Sequence, residues 1–190
     1  MMMPTNYDNY TALDQIDKNL LDNDTHYLYG EIECDNIANA IKWILSANIS
    51  KKPKRTLKLY INSTGGDLYE AFGLIDVMKN SYHPVSTIGL GSLMSAAFLI
   101  FACGKQGQRY IGKNTGIMHH QFTSSMEDKM HDIKAQMKEN QNCEMRELQI
   151  LREATGMTIN ETRKKFINQP SDQYYTAKQL VEIGIADHIL

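Results

Sequence analysis

Gly91-Ser92-Leu93-Met94-Ser95 runs without a break into Ala96-Ala97-Phe98-Leu99-Ile100-Phe101-Ala102-Cys103. A small, glycine-led turn here delivers a serine to the start of a helix that is apolar all round, and such a helix is buried. Just upstream, Val85-Ser86-Thr87-Ile88 is a β-branched run that reads as a strand. No charge interrupts residues 85–104, a stretch long enough to span a membrane. Gly89, Gly91 and three serines argue instead for a buried strand, a turn and a buried helix. Ser95 then sits among the unpaired N–H groups at the positive end of a helix, where an oxyanion can form and be stabilised.

Working outward, Leu57-Lys58-Leu59-Tyr60-Ile61-Asn62 reads as a strand ending at Ser63-Thr64-Gly65-Gly66-Asp67. Asp67 can cap a helix with Leu68, Ala71, Phe72, Ile75 and Met78 on one face. Nearer the start, residues 27–32 read as a strand, and Asp35 as the cap of a helix with the stripe Ile37, Ile41, Ile44 and Leu45. Short strands are expected at 109–112 and 116–120. A long amphipathic helix over about 125–154 carries Met126, Met130, Ile133 and Met137, then Leu148 and Leu151, and Gly156 ends it. Thr158-Ile159-Asn160-Glu161 has the form of a capping box. Thr176 caps a short helix that Gly184 ends before a strand at 186–190. Strands alternating with helices mean an α/β chain with a mostly parallel sheet. Residues 1–25 are mostly polar and read as a loosely ordered arm, and residues 26–190 as one domain.

A chain of 190 residues can bury about 70% of its unfolded surface in one core. Net charge −2 leaves no basic footprint, which excludes nucleic acid as the main partner. Lys51-Lys52-Pro53-Lys54-Arg55 is a local basic loop, read as solvated linker. The three cysteines share no CxxC spacing, and Met1-Met2-Met3-Pro4-Thr5-Asn6 lacks the basic start and apolar core of a signal peptide. A reducing compartment, the cytoplasm or its equivalent, is the expectation.

Serine attacks only when a base takes its proton, and that base needs a third group to hold it. Ser95 competes with Ser92, and the helix-start position favours Ser95. Downstream, Met118-His119-His120-Gln121 supplies a base, and strand alternation lets only one of the two histidines face the serine. Asp172, Glu182 and Asp187 are the candidate acids; Asp172 lies in the loop-like Gln169-Pro170-Ser171-Asp172. Singly, each feature has an ordinary explanation: an N-cap, a structural histidine, a turn, a solvated aspartate. Together in one α/β chain they point to acyl-transfer chemistry.

With these residues in place, the chain resembles the proteolytic subunit of the Clp protease (ClpP) over about residues 20–190. The anchors are Tyr60-Ile61-Asn62-Ser63-Thr64-Gly65-Gly66, Val85-Ser86-Thr87-Ile88, Ser95 in its turn, His120-Gln121, and the run from Asp172-Gln173-Tyr174-Tyr175-Thr176-Ala177 to Gly184-Ile185-Ala186-Asp187. The resemblance implies a ClpP/crotonase-like fold, stacked β-sheets wrapped by helices, with a protruding handle helix within about 121–154. It implies Ser95 as nucleophile, His120 as general base and Asp172 as its orienter. The backbone N–H groups of Gly66 and Ala96 would form the oxyanion hole. It further implies unfolded polypeptides as substrates, a heptamer or stacked tetradecamer of this chain, and an AAA+ unfoldase that uses ATP. The chain itself has no GxxxxGK[ST] motif and needs no cofactor or metal. Departures from the family pattern are Thr64 and Phe122 in place of prolines, Thr123-Ser124-Ser125-Met126-Glu127-Asp128 in place of a glycine-rich strand, Ser171 in place of an arginine, and about three extra residues between Gly156 and Asp172. A catalytically silent ring subunit and a crotonase-type acyl-CoA enzyme are the alternatives.

Overall fold

The central strand β3 (Val85–Met94) organises everything around it. A computed structural model describes residues 11–50, 52–121 and 129–190. In it β1 (Thr25–Tyr29), β2 (Leu57–Ser63), β3, β4 (Arg109–Ile111) and β7 (His188–Ile189) lie side by side in that order, every pair parallel. Residues 85–89 of β3 are all buried, as expected of a parallel strand covered on both faces. β3 is long enough to serve two partners. Residues 87–89 pair with β4, and residues 92–94 pair with β5 (Gly116–His119). β5 in turn pairs antiparallel with β6 (Gln173–Tyr175), so a second arm of the sheet leaves at β3.

A register shift bends β3 between those two sets of partners. Ile61 of β2 lies opposite Gly89, but Ser63 lies opposite Leu93. The extra chain folds at Gly91, φ 61°, and Asn62 holds the bend by accepting the Ser92 N–H at 2.9 Å. A β-carbon on Gly91 would lie 2.5 Å from the Asn62 Oδ1. The chain thus needs glycine there, both for the dihedral and for the close approach.

Helices α2 (Cys34–Ile49) and α3 (Leu68–Lys79) pack on the sheet through Ile37, Ala40, Trp43, Ile44 and Ala47 on the first and Ala71, Leu74, Ile75 and Met78 on the second. α4 (Ala96–Ala102) is buried at every residue, which matches its lack of any polar face. The long helix α5 (Met130–Thr155) buries only positions from Cys143 onward and stops at Gly156, φ 73°. α6 (Ile159–Thr162) runs into a π-helical turn at Arg163–Ile167, and α7 (Ala177–Glu182) precedes β7.

Several details differ from the sequence expectation. Residues 12–22 are not loose: α1 (Ala12–Asp22) starts with a Thr11–Asp14 capping box, although none of its residues is buried. Glu33, not Asp35, is the N-cap of α2, and Leu45 is exposed while Ala40 and Ala47 carry the buried stripe. The long helix begins at Met130; Met126 and the segment 122–128 lie outside the described residues. Its Met130 and Met137 are exposed. Among the described residues, no helix is long and apolar enough to cross a membrane.

Candidate active site

The bend of β3 ends in Ser95, which has φ 52° and ψ −124°. Apart from Asp24, it is the only described non-glycine residue with positive φ. A serine that merely caps a helix has extended dihedrals and gives its oxygen to the N2 or N3 N–H. Ser95 does neither: it makes no capping bond. Its N–H donates to the Met118 carbonyl at 3.0 Å, and its Oγ stands 2.8 Å from His120 Nε2. Holding a non-glycine residue in so sparsely populated a region costs about 1–3 kcal/mol, and such strain clusters at functional positions. Ser92, the competing serine, lies within β3 opposite Gly116.

His119 and His120 take opposite faces, as strand alternation requires. His120 is half-buried beside Ser95, whereas His119 is buried and bonded to Glu147 at 2.7 Å. When the serine hydroxyl donates to Nε2 of His120, the ring proton resides on Nδ1. That nitrogen faces Asp172, whose Oδ1 is 3.9 Å away, longer than a hydrogen bond. The placement comes from the β5–β6 ladder. His119 pairs with Gln173, so the next step of an antiparallel register sets His120 opposite Asp172.

The other two acids are occupied elsewhere. Glu182 is exposed and lies 3.8 Å from Lys178. Asp187 receives the Arg109 guanidinium at 2.7 and 2.9 Å, and the Arg109 backbone N–H as well. Burial pushes the Asp187 carboxyl up, but the bonds from Arg109 outweigh it and hold the group below its ordinary range.

Of the two expected oxyanion donors, Ala96 adjoins the serine, and Gly66 follows the glycine that approaches it. Ala96 is the first residue of α4, so its N–H has no acceptor within the helix. Gly66 forms a bridge with Ile32 that uses the N–H groups of Ile32 and Asp67, not its own. Gly65, φ 100°, brings this turn against the Ser95 bend; a β-carbon there would lie 2.7 Å from Ser95 Cβ and 3.1 Å from the Ala96 nitrogen. Asp67 then caps α3 through the N–H groups of Tyr69 and Glu70, pinning the turn from its far side.

Sequence reasoning missed two contributors. Asn62, which braces the bend, gives no sequence signal of its own. Glu147 does: a carboxylate flanked by the apolar Leu148, Ile150 and Leu151 must find a buried partner. Among the described residues, no group of three or more His, Cys, Asp or Glu side chains could hold a metal ion.

A family model described as Clp protease matches residues 8–190. The ATP-dependent Clp protease proteolytic subunit 1 of Leifsonia xyli subsp. xyli is 29% identical over 163 residues, covering 86% of this chain and 81% of that protein. Subunit 1 of Corynebacterium jeikeium is 28% identical over 156 residues, or 82% of this chain and 81% of its own. Subunit 2 of Tropheryma whipplei is 29% identical over 160 residues, with 84% and 87% covered.

Proposed function

The chain belongs to the Clp protease family, and we propose that it is a serine endopeptidase cutting unfolded polypeptides into short peptides. The observation that carries this reading is the 2.8 Å contact between Ser95 Oγ and His120 Nε2, made by a serine whose strained backbone excludes a capping role. His120 accepts the hydroxyl proton as Ser95 Oγ attacks the scissile carbonyl. The negative charge that develops on the carbonyl oxygen is met by the N–H groups of Gly66 and Ala96. The tetrahedral intermediate collapses when His120 passes the proton to the leaving amine. Water then repeats the sequence on the acyl-serine, and the proton returns to Ser95. Asp172 acts on His120 alone, favouring the tautomer with the proton on Nδ1 and stabilising the imidazolium.

The exposed face of α5 supports assembly. Met130 and Met137 stand in solvent on a helix whose first half is unburied, and an apolar stripe of that kind favours a partner surface. A second copy of the same helix supplies it, giving heptameric rings stacked in pairs as a tetradecamer that encloses Ser95. Folded proteins are then excluded, and an AAA+ unfoldase spends the ATP needed to feed the chamber. The three free cysteines accord with a reducing compartment such as the cytoplasm.

The test is fluorophosphonate labelling with native mass measurement. Ser95→Ala should abolish labelling and peptide cleavage, while Ser92→Ala keeps both. Labelling that survives Ser95→Ala, or an active monodisperse monomer, overturns the proposal.

A further inference from the structure

β5 is short, and among the described residues little on its exposed side fixes its end. Its ladders join three residues of β3 and three of β6, and His120 lies one residue beyond the strand. Asp172, the one carboxylate facing His120 among the described residues, is 53% exposed and 3.9 Å away. The firmer hold lies on the opposite face. His119 is 1% exposed, and its Nε2 stands 2.7 Å from Oε1 of Glu147, itself 2% exposed. The ring packs against Phe98 at 5.2 Å and meets Phe166 edge-on at 5.5 Å. Its Nδ1 has no hydrogen-bond partner among the described residues. The bond to Glu147 is therefore the ring's directional contact. It ties the residue next to His120 to the docked half of α5, where Leu148 and Leu151 are buried.

Packing alone does not call for such a pair, because apolar residues of similar volume are often equally stable or more so. What a buried hydrogen bond adds is direction. Neighbouring side chains of a strand point to opposite faces. Any rotation of β5 about its axis that shifts His119 must therefore swing His120. We propose that His119 and Glu147 are positioning residues: their bond locks the end of β5 to α5 and so keeps His120 Nε2 on Ser95 Oγ. This rests on the reading of Ser95 and His120 as nucleophile and base.

The experiment uses the assembled full-length protein, a short fluorogenic peptide and a fluorophosphonate. Glu147→Leu should lower kcat and the labelling rate together, about 10- to 100-fold, as expected of a base displaced by up to an ångström. KM should stay within about twofold, since no group that binds substrate is removed. Glu147→Gln can still hydrogen-bond His119 and should recover to within about threefold of wild type. Should Glu147→Leu fail to fold, the double variant His119→Leu/Glu147→Leu leaves no orphaned polar group and should be folded, assembled and slow. Wild-type labelling by Glu147→Leu or by the double variant overturns the proposal, as does a Glu147→Gln enzyme no faster than Glu147→Leu. Ser95→Ala run in parallel separates the two failures. Labelling retained there sinks the nucleophile assignment, whereas labelling lost there but normal in Glu147→Leu sinks only the positioning role.

Discussion

Substituting Gly65 by alanine separates backbone strain from active-site geometry. Gly65 has φ 100°, a conformation an L side chain resists at a cost of about 1–3 kcal/mol. The new methyl would also stand 2.7 Å from Ser95 Cβ, 2.9 Å from the Met94 carbonyl and 3.1 Å from the Ala96 nitrogen. Two of those three contacts are backbone atoms, so no flexible side chain can swing away to relieve them. Overpacking of this kind costs about 1–3 kcal/mol more. Gly107→Ala is the control: φ is 83°, yet nothing lies within 4 Å of its added carbon. Gly107→Ala should therefore lose only the strain contribution in urea unfolding and label at the wild-type rate. Gly65→Ala should lose roughly twice as much stability, and its fluorophosphonate labelling should slow by about 100-fold, because relief of the collision must displace Ser95 or Ala96. If Gly65→Ala matches Gly107→Ala in stability and labels normally, the turn does not press on Ser95 and does not hold backbone donors against it.

His120→Ala should reduce cleavage by several orders of magnitude, comparable to Ser95→Ala, because the two act as a unit; single-turnover acylation measures it. Asp187→Ala leaves the buried Arg109 guanidinium without its carboxylate and should destabilise the fold by about 3 kcal/mol in urea. The same pair sets a pH dependence. The folded carboxyl is held below its ordinary 3.8, so its contribution is present above that value and is lost as pH falls through the folded one. Acid unfolding below about pH 4 should be shallower in Asp187→Asn than in wild type. Met130→Asp changes a residue 69% exposed in the single chain, so monomer stability should move by no more than about 0.5 kcal/mol. The native particle should nonetheless lose mass, and double rings of the unaltered chain should persist in high salt, where exposed ion pairs are screened.

Local signals were the legible ones. Asp67, Thr158, Thr176 and Gly156 sit at helix ends in the structure, because each cap is decided by a few neighbouring residues. α1 escaped notice for a related reason: the Thr11–Asp14 box is hidden in a polar stretch with no buried face to announce a helix. The bend of β3 was legible only as a glycine-led turn; that the strand continues through it to Met94 was not. It depends on Asn62 from the neighbouring strand meeting the Ser92 N–H, a contact between residues far apart in the chain. Yet that bend decides the fold's branch point, sending residues 92–94 to β5 and leaving Ser95 at positive φ.

The acid shows the same limit from another side. From the residues alone Asp172, Glu182 and Asp187 stood open, since carboxylates in a loop, on a helix and before a final strand look alike in sequence. Pairing settles their geometry. Arg109 occupies Asp187 and Lys178 lies beside Glu182, while the three-residue β5–β6 register leaves Asp172 across from His120. Register, however, fixes where a backbone lies more tightly than where a side chain ends. Asp172 is exposed and its Oδ1 lies 3.9 Å from His120 Nδ1, beyond hydrogen-bond reach, and the π-helical turn Arg163–Ile167 lies in the stretch that leads to it. Its carboxylate can therefore close on His120 Nδ1 by a side-chain rotation, without moving the ladder. Ser95 and His120 are held by buried structure, and Asp172 by a strand end in solvent. Loss of Asp172 should accordingly be the mildest of the three deletions.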